Sequence, residues 1–519
     1  MIAVSSAWKE VQQRRLLPEM HIEVTYNVTE PGLQLDASST ATLQEAYSRA
    51  DWLVSTRDRS PEKYATLEHG MWGLDGSFEY FDGSPIDPGY VTTEMTDGGA
   101  GFSTLPTITI TLRSVHTGLI PGITVVWSEV FNEWAKSFRV TAYNGNTVVA
   151  QKTVDNNTDV VSKVWMDMAG YNKVVIEVLE WSLPYRKARA MEVFLGIRNV
   201  YTKKDLMSFK HSQSADLLSA ALPKNEIEFK LRNEDARWNP DNPDGAERYL
   251  LERQEIELRY GLKTTNEIEW INGGHFWLSG WHTPANGIEA TFTARDALEF
   301  AGAKYNGPTR GTLYSVALAA LEQADIPPMD DGSQRYVISE VLKEYSTAFE
   351  SEATIAEVLQ MVAHAGGCVL YQDAAGVVHI EPWAASESDY RIDANVSYAY
   401  PEFDISKPLK AVTVSYGEDL EATVQVGTSG EVQTVDNEFI TTEADALRVA
   451  QATADLLKGR KTVSGEYRAD VRLEALDTVT VQSKYAENRV AITEVEYSTT
   501  GGAFRGKYTG RVIGSNESK

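Results

Sequence analysis

Alternation of apolar and polar side chains dominates the sequence and predicts β-strands along most of its length. In residues 21–26, Ile22, Val24 and Tyr26 share one face of an extended segment, which is typical of a half-buried strand. Residues 123–127 instead form a nearly continuous apolar run, as expected of a strand that is covered on both sides. The chain is therefore predicted to be mainly β.

Residues 61–202 contain short strands at regular spacing, and this pattern predicts a β-sandwich. Residues 108–112 alternate isoleucine and leucine with threonine. Farther along, Asn144-Gly145 separates two such runs, and this dipeptide favours a tight hairpin because both residues tolerate a positive φ.

A chain of 519 residues is too long for a single hydrophobic core, so several modules are expected. A small α/β module is predicted between two β-rich modules, and the sandwich interrupts the first of them. In chain order, the predicted parts are the start of the first β module (1–60), the inserted sandwich (61–202), the rest of the first β module (203–300), the α/β module (301–402) and the second β module (403–519).

Helical patterns are concentrated in the α/β module. Residues 354–357 (Thr-Ile-Ala-Glu) form a capping box, in which the hydroxyl and the carboxylate satisfy backbone amides at the start of a helix. Gly366-Gly367 predicts the end of that helix. A further helix is predicted from about residue 443 to residue 457.

The composition excludes several classes of protein. Asp and Glu together number 74 against 48 Lys and Arg, which gives a net charge of −26, the opposite of a basic nucleic-acid binder. The hydrophobic fraction of 42% is that of an ordinary globular protein and not of a disordered chain. No apolar run reaches the roughly 18 residues that span a bilayer, and the amino-terminal charges follow the apolar stretch, so folding in a bacterial cytoplasm is expected.

No catalytic motif and no cofactor-binding motif is present in the sequence. The single cysteine, Cys368, is predicted to be a buried, inert thiol. The loop that follows residue 232 concentrates oxygen donors, and Asp235, Asn239 and Asp241 are weak candidates for a Ca²⁺ site. The stronger interpretation is a corner that Asx turns and prolines fix without a metal.

The sandwich also carries aromatic side chains that could stack on the apolar face of a sugar ring, with arginines that could bond its hydroxyl groups. The candidate carbohydrate-binding residues are Trp134, Tyr143, Trp181, Tyr185 and Arg186. The alternative is that most of these rings fill the core of the sandwich or an interface with a neighbouring module.

Several segments, taken in the order in which they follow one another in the chain, resemble the tail baseplate hub proteins of phages and prophages that infect Gram-positive bacteria. They lie at residues 222–229, 239–240, 254–261, 276–278, 290–296, 365–371 and 379–382. The resemblance implies two related β-barrel-like hub modules per chain, a homotrimer with a ring of six barrels, and a position at the virion tail tip. It implies contacts with the distal tail protein, the tail tube, the tape measure protein and receptor-binding or fibre proteins. Because the sequence contains no catalytic motif, no enzymatic activity is expected.

A second resemblance covers the sandwich, which is similar to galactose-binding-like jelly rolls such as carbohydrate-binding modules. It is carried by residues 123–129, 134–136 and 181–189. It implies an inserted module for host attachment that binds envelope carbohydrate, although the ligand residues of such modules cannot be matched one by one.

Within a hub, the acidic excess would line a channel that repels DNA phosphates, so that DNA passes without binding. Simple solubility explains the same charge. Two other functions remain open, a cell-wall-degrading or glycan-active tail enzyme and a stand-alone carbohydrate-binding adhesin.

Overall fold

The protein is mainly β and is built from several modules. The computed structural model describes residues 1–14, 19–54, 65–66, 68–73, 75–76, 89–243, 245–264, 267–284, 287–329, 332–350, 352–385, 390–417, 420–500 and 503–517. Within these ranges, no helix has both the length and the apolar character needed to cross a membrane. Short 3₁₀ helices occur at Leu33–Asp36, Ala50–Trp52, Glu247–Tyr249, Ala297–Gly302 and Glu340–Glu344.

The chain opens with helix α1 (Ser6–Gln13), strand β1 (Met20–Val28) and strand β2 (Ala37–Ala41). The hydroxyl of Ser5 caps α1 by accepting a hydrogen bond from the backbone N–H of Trp8, at 3.1 Å. The ring of Trp8 is fully buried. The strand predicted at residues 21–26 is confirmed by β1, whose residues alternate as expected over their first half.

The sandwich consists of a five-stranded sheet, in the order β2-β4-β9-β6-β7, packed against the shorter sheets β11-β5-β8 and β10-β3. Gly145, with a φ of 59°, closes the predicted hairpin between β6 and β7. The strands are β3 (Tyr90–Met95), β4 (Thr107–His116), β5 (Ile120–Val126), β6 (Ala135–Asn144), β7 (Thr147–Val154), β8 (Val161–Met168), β9 (Tyr171–Trp181), β10 (Lys187–Ala190) and β11 (Glu192–Phe194).

The sandwich begins earlier in the chain than the predicted boundary at residue 61. Strand β2 pairs with β4, and Leu33 and Leu53 are buried in the sandwich core. The difference arises because β2 finds its partner far along the chain, which local alternation cannot indicate. Residues 55–64, 67, 74 and 77–88 of the predicted module lie outside the described residues.

The first β module continues after the sandwich with antiparallel strands. They do not form a simple meander, because the strand at Lys224–Arg232 pairs with the strands at Glu289–Arg295 and Leu206–Ser214 and not with the next strand in the sequence. Its strands are β12 (Ile197–Thr202), β13 (Leu206–Ser214), β14 (Lys224–Arg232), β15 (Glu255–Lys263), β16 (Ile268–His282) and β17 (Glu289–Arg295). Strand β1 lies between β12 and β15, so the segments before and after the sandwich share one sheet.

The α/β module contains the predicted capping box. Thr354 and Glu357 bond each other's backbone N–H groups at the start of α3, and Gly367, with a φ of 68°, ends the helix. Its elements are β18 (Arg310–Thr312), α2 (Leu313–Ala324), β19 (Tyr336–Ile338), β20 (Ser346–Ala348), α3 (Ile355–Gly366), β21 (Val369–Gln372) and β22 (Val378–Glu381).

The packing also places the end of the α/β module later in the chain than the predicted boundary at residue 402. Strands β25 to β27 and helix α4 share their hydrophobic core with α2 and α3 instead of with the second β module. The remaining elements are β23 (Arg391–Ile392), β24 (Glu402–Ile405), β25 (Leu409–Tyr416), β26 (Leu420–Gln425), β27 (Glu431–Asp436), α4 (Glu443–Leu457), β28 (Lys461–Arg468), β29 (Thr478–Gln482), β30 (Ala486–Thr500) and β31 (Ala503–Glu517).

The two β modules are joined in one 13-stranded sheet. Its order is β12-β1-β15-β16-β17-β14-β13-β30-β31-β28-β24, and β29 and β23 extend it beside β30. The first half of the sheet is strongly curled. Although β12 and β14 are not neighbours in the sheet, Tyr201 on β12 contacts Phe229 on β14, with 6.4 Å between ring centroids. Both halves contribute to a single hydrophobic core.

Candidate functional site

The strand pair β13–β30 is the junction between the two β modules. Strand β13 pairs with β14 on one edge and with β30 on the other, each time over most of its length. The buried ring of His211 on β13 lies 2.8 Å from the hydroxyl of Tyr260 and 2.9 Å from Asn225 Oδ1. Burial lowers the pKa of His211 to about 4, so this junction contains a neutral imidazole.

Helix α1 adds a second connection between the modules. The side chain of Gln12 donates a hydrogen bond to the carbonyl of Ala469, at 3.0 Å. Arg468 donates to the carbonyl of Gln12, at 2.6 Å. Because the ring of Trp8 is buried in the shared core, the two β modules are held as one unit.

The end of the sandwich that carries Tyr185 is the candidate carbohydrate site. The ring of Tyr185 is 47% exposed, and its backbone has a φ of 58°. Its hydroxyl lies so close to Gly98 that a β-carbon there would be 2.9 Å from it, so a side chain at position 98 would have to displace the Tyr185 ring. The ring of His69 lies 5.5 Å from the ring of Tyr185.

Arg186 lies at the same end and is held by hydrogen bonds within the protein. Its Nε donates to Glu133 Oε1 at 3.1 Å, and its Nη1 donates to the carbonyl of His69 at 2.9 Å. Burial raises the pKa of Glu133. Trp134 is half-buried beside this group, and its indole donates to the carbonyl of Asn157 at 2.8 Å.

Two of the five predicted residues do not belong to an accessible cluster. Trp181 is fully buried, packs edge-on against Trp127 at 5.9 Å, and donates to Glu133, so its ring cannot stack on a sugar. Tyr143 lies near the far end of β6 from Trp134, about 30 Å away at roughly 3.3 Å per residue. For Trp181 the core interpretation was the right one.

Sequence reasoning missed three contributors to this end of the sandwich, namely His69, Glu133 and the loop after Asp97. Asp97 Oδ1 accepts hydrogen bonds from the backbone N–H groups of Gly99 and Gly101, at 2.8 and 3.0 Å. The signal for the loop was the run Asp-Gly-Gly-Ala-Gly at residues 97–101. No local pattern marked His69 or Glu133.

The corner that includes the weak Ca²⁺ candidates is fixed by hydrogen bonds within the protein. Asn239 Oδ1 accepts from Asn233, and Asp235 Oδ1 accepts from the backbone of Arg237. Asp241 is exposed. Across the described part of the chain, no group of three or more His, Cys, Asp or Glu side chains is arranged to hold a metal ion.

The same corner holds the sandwich against the first β module. The guanidinium of Arg237 lies 5.0 Å from the ring centroid of Trp165 on β8, and Tyr249 lies 6.3 Å from that ring. Asp167, also on β8, accepts a hydrogen bond from Arg248 at 3.0 Å. The oxygen-rich loop therefore has a structural role in docking the sandwich.

Cys368 is fully buried, as predicted. Burial raises the pKa of its thiol to about 12, so the thiolate is disfavoured at neutral pH.

No protein-family model matches the chain, and no curated protein matches it. Solved structures with a similar fold include the 43 kDa tail protein of prophage MuSo2 from Shewanella oneidensis, with 14% identity over 60% of this chain and 94% of that chain, and a TM-score of 0.43. The tail protein from Neisseria meningitidis MC58 has 11% identity over 61% and 94%, and a TM-score of 0.42. Prophage tail protein gp18 from Listeria monocytogenes EGD-e has 13% identity over 60% and 91%, and a TM-score of 0.38. All three are tail proteins, and two belong to prophages.

Proposed function

We propose that this chain is a structural baseplate hub of a phage tail, which joins the tail tube to the tail tip as a homotrimer. The observation that carries the proposal is the pairing of β13 with both β14 and β30. This pairing makes the two β modules one unit with a common core. A ring subunit needs such stiffness, because heterologous contacts between copies close into a ring only at a fixed angle.

Three copies would supply six β modules around an opening, which is the number that the family resemblance implies. The net charge of −26 supports a passage for DNA, since carboxylates along an opening repel phosphates and leave the nucleic acid unbound. The partners of such a hub are the distal tail protein, the tail tube, the tape measure protein and receptor-binding or fibre proteins. The location is the virion tail tip, after synthesis in the host cytoplasm.

Native mass spectrometry of the purified chain, alone and with its tail neighbours, tests the ring. The proposal expects a species with three times the mass of the 57.5 kDa chain. A chain that stays monomeric in the presence of every tail neighbour would contradict it. We propose no enzymatic activity, and turnover of peptidoglycan by the purified chain would overturn that part.

A second candidate role, binding of host-envelope carbohydrate, is favoured by the half-exposed ring of Tyr185. Its position beside Arg186 and His69, with the buried Glu133 holding Arg186 in place, combines an aromatic face with polar groups, which is the chemistry that a sugar requires. Binding should be measured on the whole chain, because β2 and the residues around Leu33 complete the sandwich. Absence of binding at millimolar sugar would leave the sandwich as a spacer or docking surface.

A further inference from the structure

The hairpin β21–β22 of the α/β module contacts both β modules. Gln372 on β21 donates a hydrogen bond to the carbonyl of His275, at 2.9 Å, and accepts one from the backbone of Ala297, at 2.7 Å. Just beyond β22, the indole of Trp383 donates to the carbonyl of Leu476, at 3.0 Å. The hairpin therefore links three parts of the chain.

Within this hairpin, His379 is bracketed by two carboxylates. Its Nε2 lies 3.0 Å from Asp373 Oδ2, and its Nδ1 lies 3.0 Å from Glu381 Oε2. A carboxylate can only accept, so both bonds exist together only when the imidazole carries two protons. The ring of Tyr371 stacks on the imidazole at 4.9 Å and 12°. The geometry is that of an imidazolium.

The bracket borders a cavity of about 440 Å³ where the three modules meet. Carboxylates from all three line it, namely Asp296 of the first β module, Asp373 and Glu381 of the hairpin, and Glu474 and Asp477 of the second β module. Burial raises the pKa of Asp296 to about 7, and burial together with Asp477 raises that of Glu474 to about 7. Among the described residues that line the cavity, the groups of opposite charge are Lys224 and the amino group of Met1, which contacts Asp477.

A second histidine faces the other side of the hairpin. His275 Nδ1 lies 3.6 Å from Glu255 Oε1, and Arg335 Nη2 lies 3.5 Å from the same oxygen. Gly376 in the hairpin turn lies so close to His275 that an added β-carbon would be 2.8 Å from the histidine β-carbon. Although burial opposes it, the nearby carboxylate of Glu255 raises the pKa of His275.

We propose that the hairpin β21–β22 is a pH-sensitive clamp, which holds the three modules together while His379 is protonated and loosens when that proton leaves. Loss of the proton turns one ring N–H donor of His379 into a lone pair that faces the carboxylate of Asp373 or Glu381. It also leaves an uncompensated negative charge beside a cavity that is already acidic. The clamp concerns the single chain and stands whether or not copies form a ring.

The direction of the pH effect follows from the pKa shifts. Burial lowers the pKa of His379, but the two carboxylates of Asp373 and Glu381 have the larger effect together, so that the pKa lies above its ordinary value. A histidine with a raised pKa stabilises the fold below its ordinary pKa of about 6.5, and this stabilisation is lost as the pH rises through the raised value. Asp296 and Glu474 act in the same direction but at lower pH. Because their raised pKa values are about 7, the stability that they cost is lost between about pH 4 and about pH 7, and only the upper end of that range lies above pH 6. The lowered pKa of Asp373 acts only in acid, outside this window.

Hydrogen–deuterium exchange of the full chain at about pH 6 and about pH 8.5, corrected for the intrinsic rate, tests the clamp. In the unmodified chain, protection of the peptide covering residues 369–384 should fall by roughly fivefold or more at the higher pH. In the variant His379→Gln, protection should be low at both pH values. The matched control is His282→Gln, which changes an exposed histidine and should keep the pH dependence.

A second variant keeps the test decisive if His379→Gln fails to fold. In Asp373→Asn, the amide can donate to a neutral imidazole, so the hairpin should stay protected at about pH 8.5. Equal protection of the unmodified chain at both pH values would overturn the proposal. An undiminished pH dependence in His379→Gln or in Asp373→Asn would also overturn it.

Discussion

His211 and Tyr497 are direct register partners across the strand pair that joins the two β modules, with 6.2 Å between their ring centroids. Both side chains are almost completely buried. The hydroxyl of Tyr497 lies 2.7 Å from the carbonyl oxygens of Asp470 and Leu473. Aromatic and hydrogen-bonding contacts at this one position therefore connect both halves of the sheet.

The buried histidine should make stability depend on pH. Because the folded pKa of His211 is about 4 and the ordinary value is about 6.5, the unfolded chain takes up the proton first as the pH falls. The contribution of His211 should therefore be complete above about pH 6.5 and fall by about 3 kcal/mol towards pH 4. Denaturant unfolding of the wild type and of His211→Gln checks this, since the difference between them should shrink in acid. A difference that does not change with pH would contradict the assignment.

Removing the hydroxyl of Tyr497 should weaken the same junction. Tyr497→Phe leaves the carbonyls of Asp470 and Leu473 without this partner at an almost unchanged volume, so the free energy of unfolding should fall by about 1–2 kcal/mol. Tyr485→Phe is the matched control, because Tyr485 is 74% exposed and should change stability by less than about 0.5 kcal/mol. Equal effects of both variants would count against a special role of Tyr497.

A buried ion pair should be important for the sandwich. Glu68 and Arg189 contact each other through both carboxylate oxygens, and their side chains are 0% and 1% exposed. Glu68→Gln should destabilise the sandwich by about 3–5 kcal/mol, because the buried guanidinium of Arg189 would keep its charge without a charged partner. The double variant with Arg189→Met should recover much of this loss, which a double-mutant cycle of chemical denaturation measures. Simple additivity of the two changes would refute the coupling.

Two aromatic residues of the sandwich, Trp181 and Tyr185, should respond in opposite ways when truncated. Trp181→Ala should cost about 3–5 kcal/mol of folding free energy, since it empties the space of a fully buried ring. Tyr185→Ala should leave stability within about 0.5 kcal/mol. Under the proposed carbohydrate-binding role, it should also weaken the binding of envelope sugar by the whole chain by about 1–3 kcal/mol. Thermal unfolding and calorimetric titration separate these effects. Loss of folding in Tyr185→Ala would move this ring from the binding site to the core.

Local signals in the sequence predicted the elements well. The capping residues Thr354 and Glu357, the hairpin at Gly145 and the boundaries of α4 all depend on interactions within a few residues. Such interactions are visible in the sequence because the partners are neighbours in the chain.

The same local signals do not indicate which strands pair when they lie far apart in the chain. Alternation indicates a strand over residues 489–497, but nothing local specifies that His211 lies opposite Tyr497. For the same reason the sequence did not assign β2 to the sandwich or α4 to the core of the α/β module. In the candidate site, the pattern named Tyr185 and Arg186 but could not distinguish them from the buried Trp181.

A reconstruction of the intact tail by electron cryomicroscopy tests the central claim most directly. A trimeric hub requires three copies of this chain at the tip, with their β modules side by side around an opening that acidic side chains line. A single copy, a peripheral position or a tip without a central opening would contradict it.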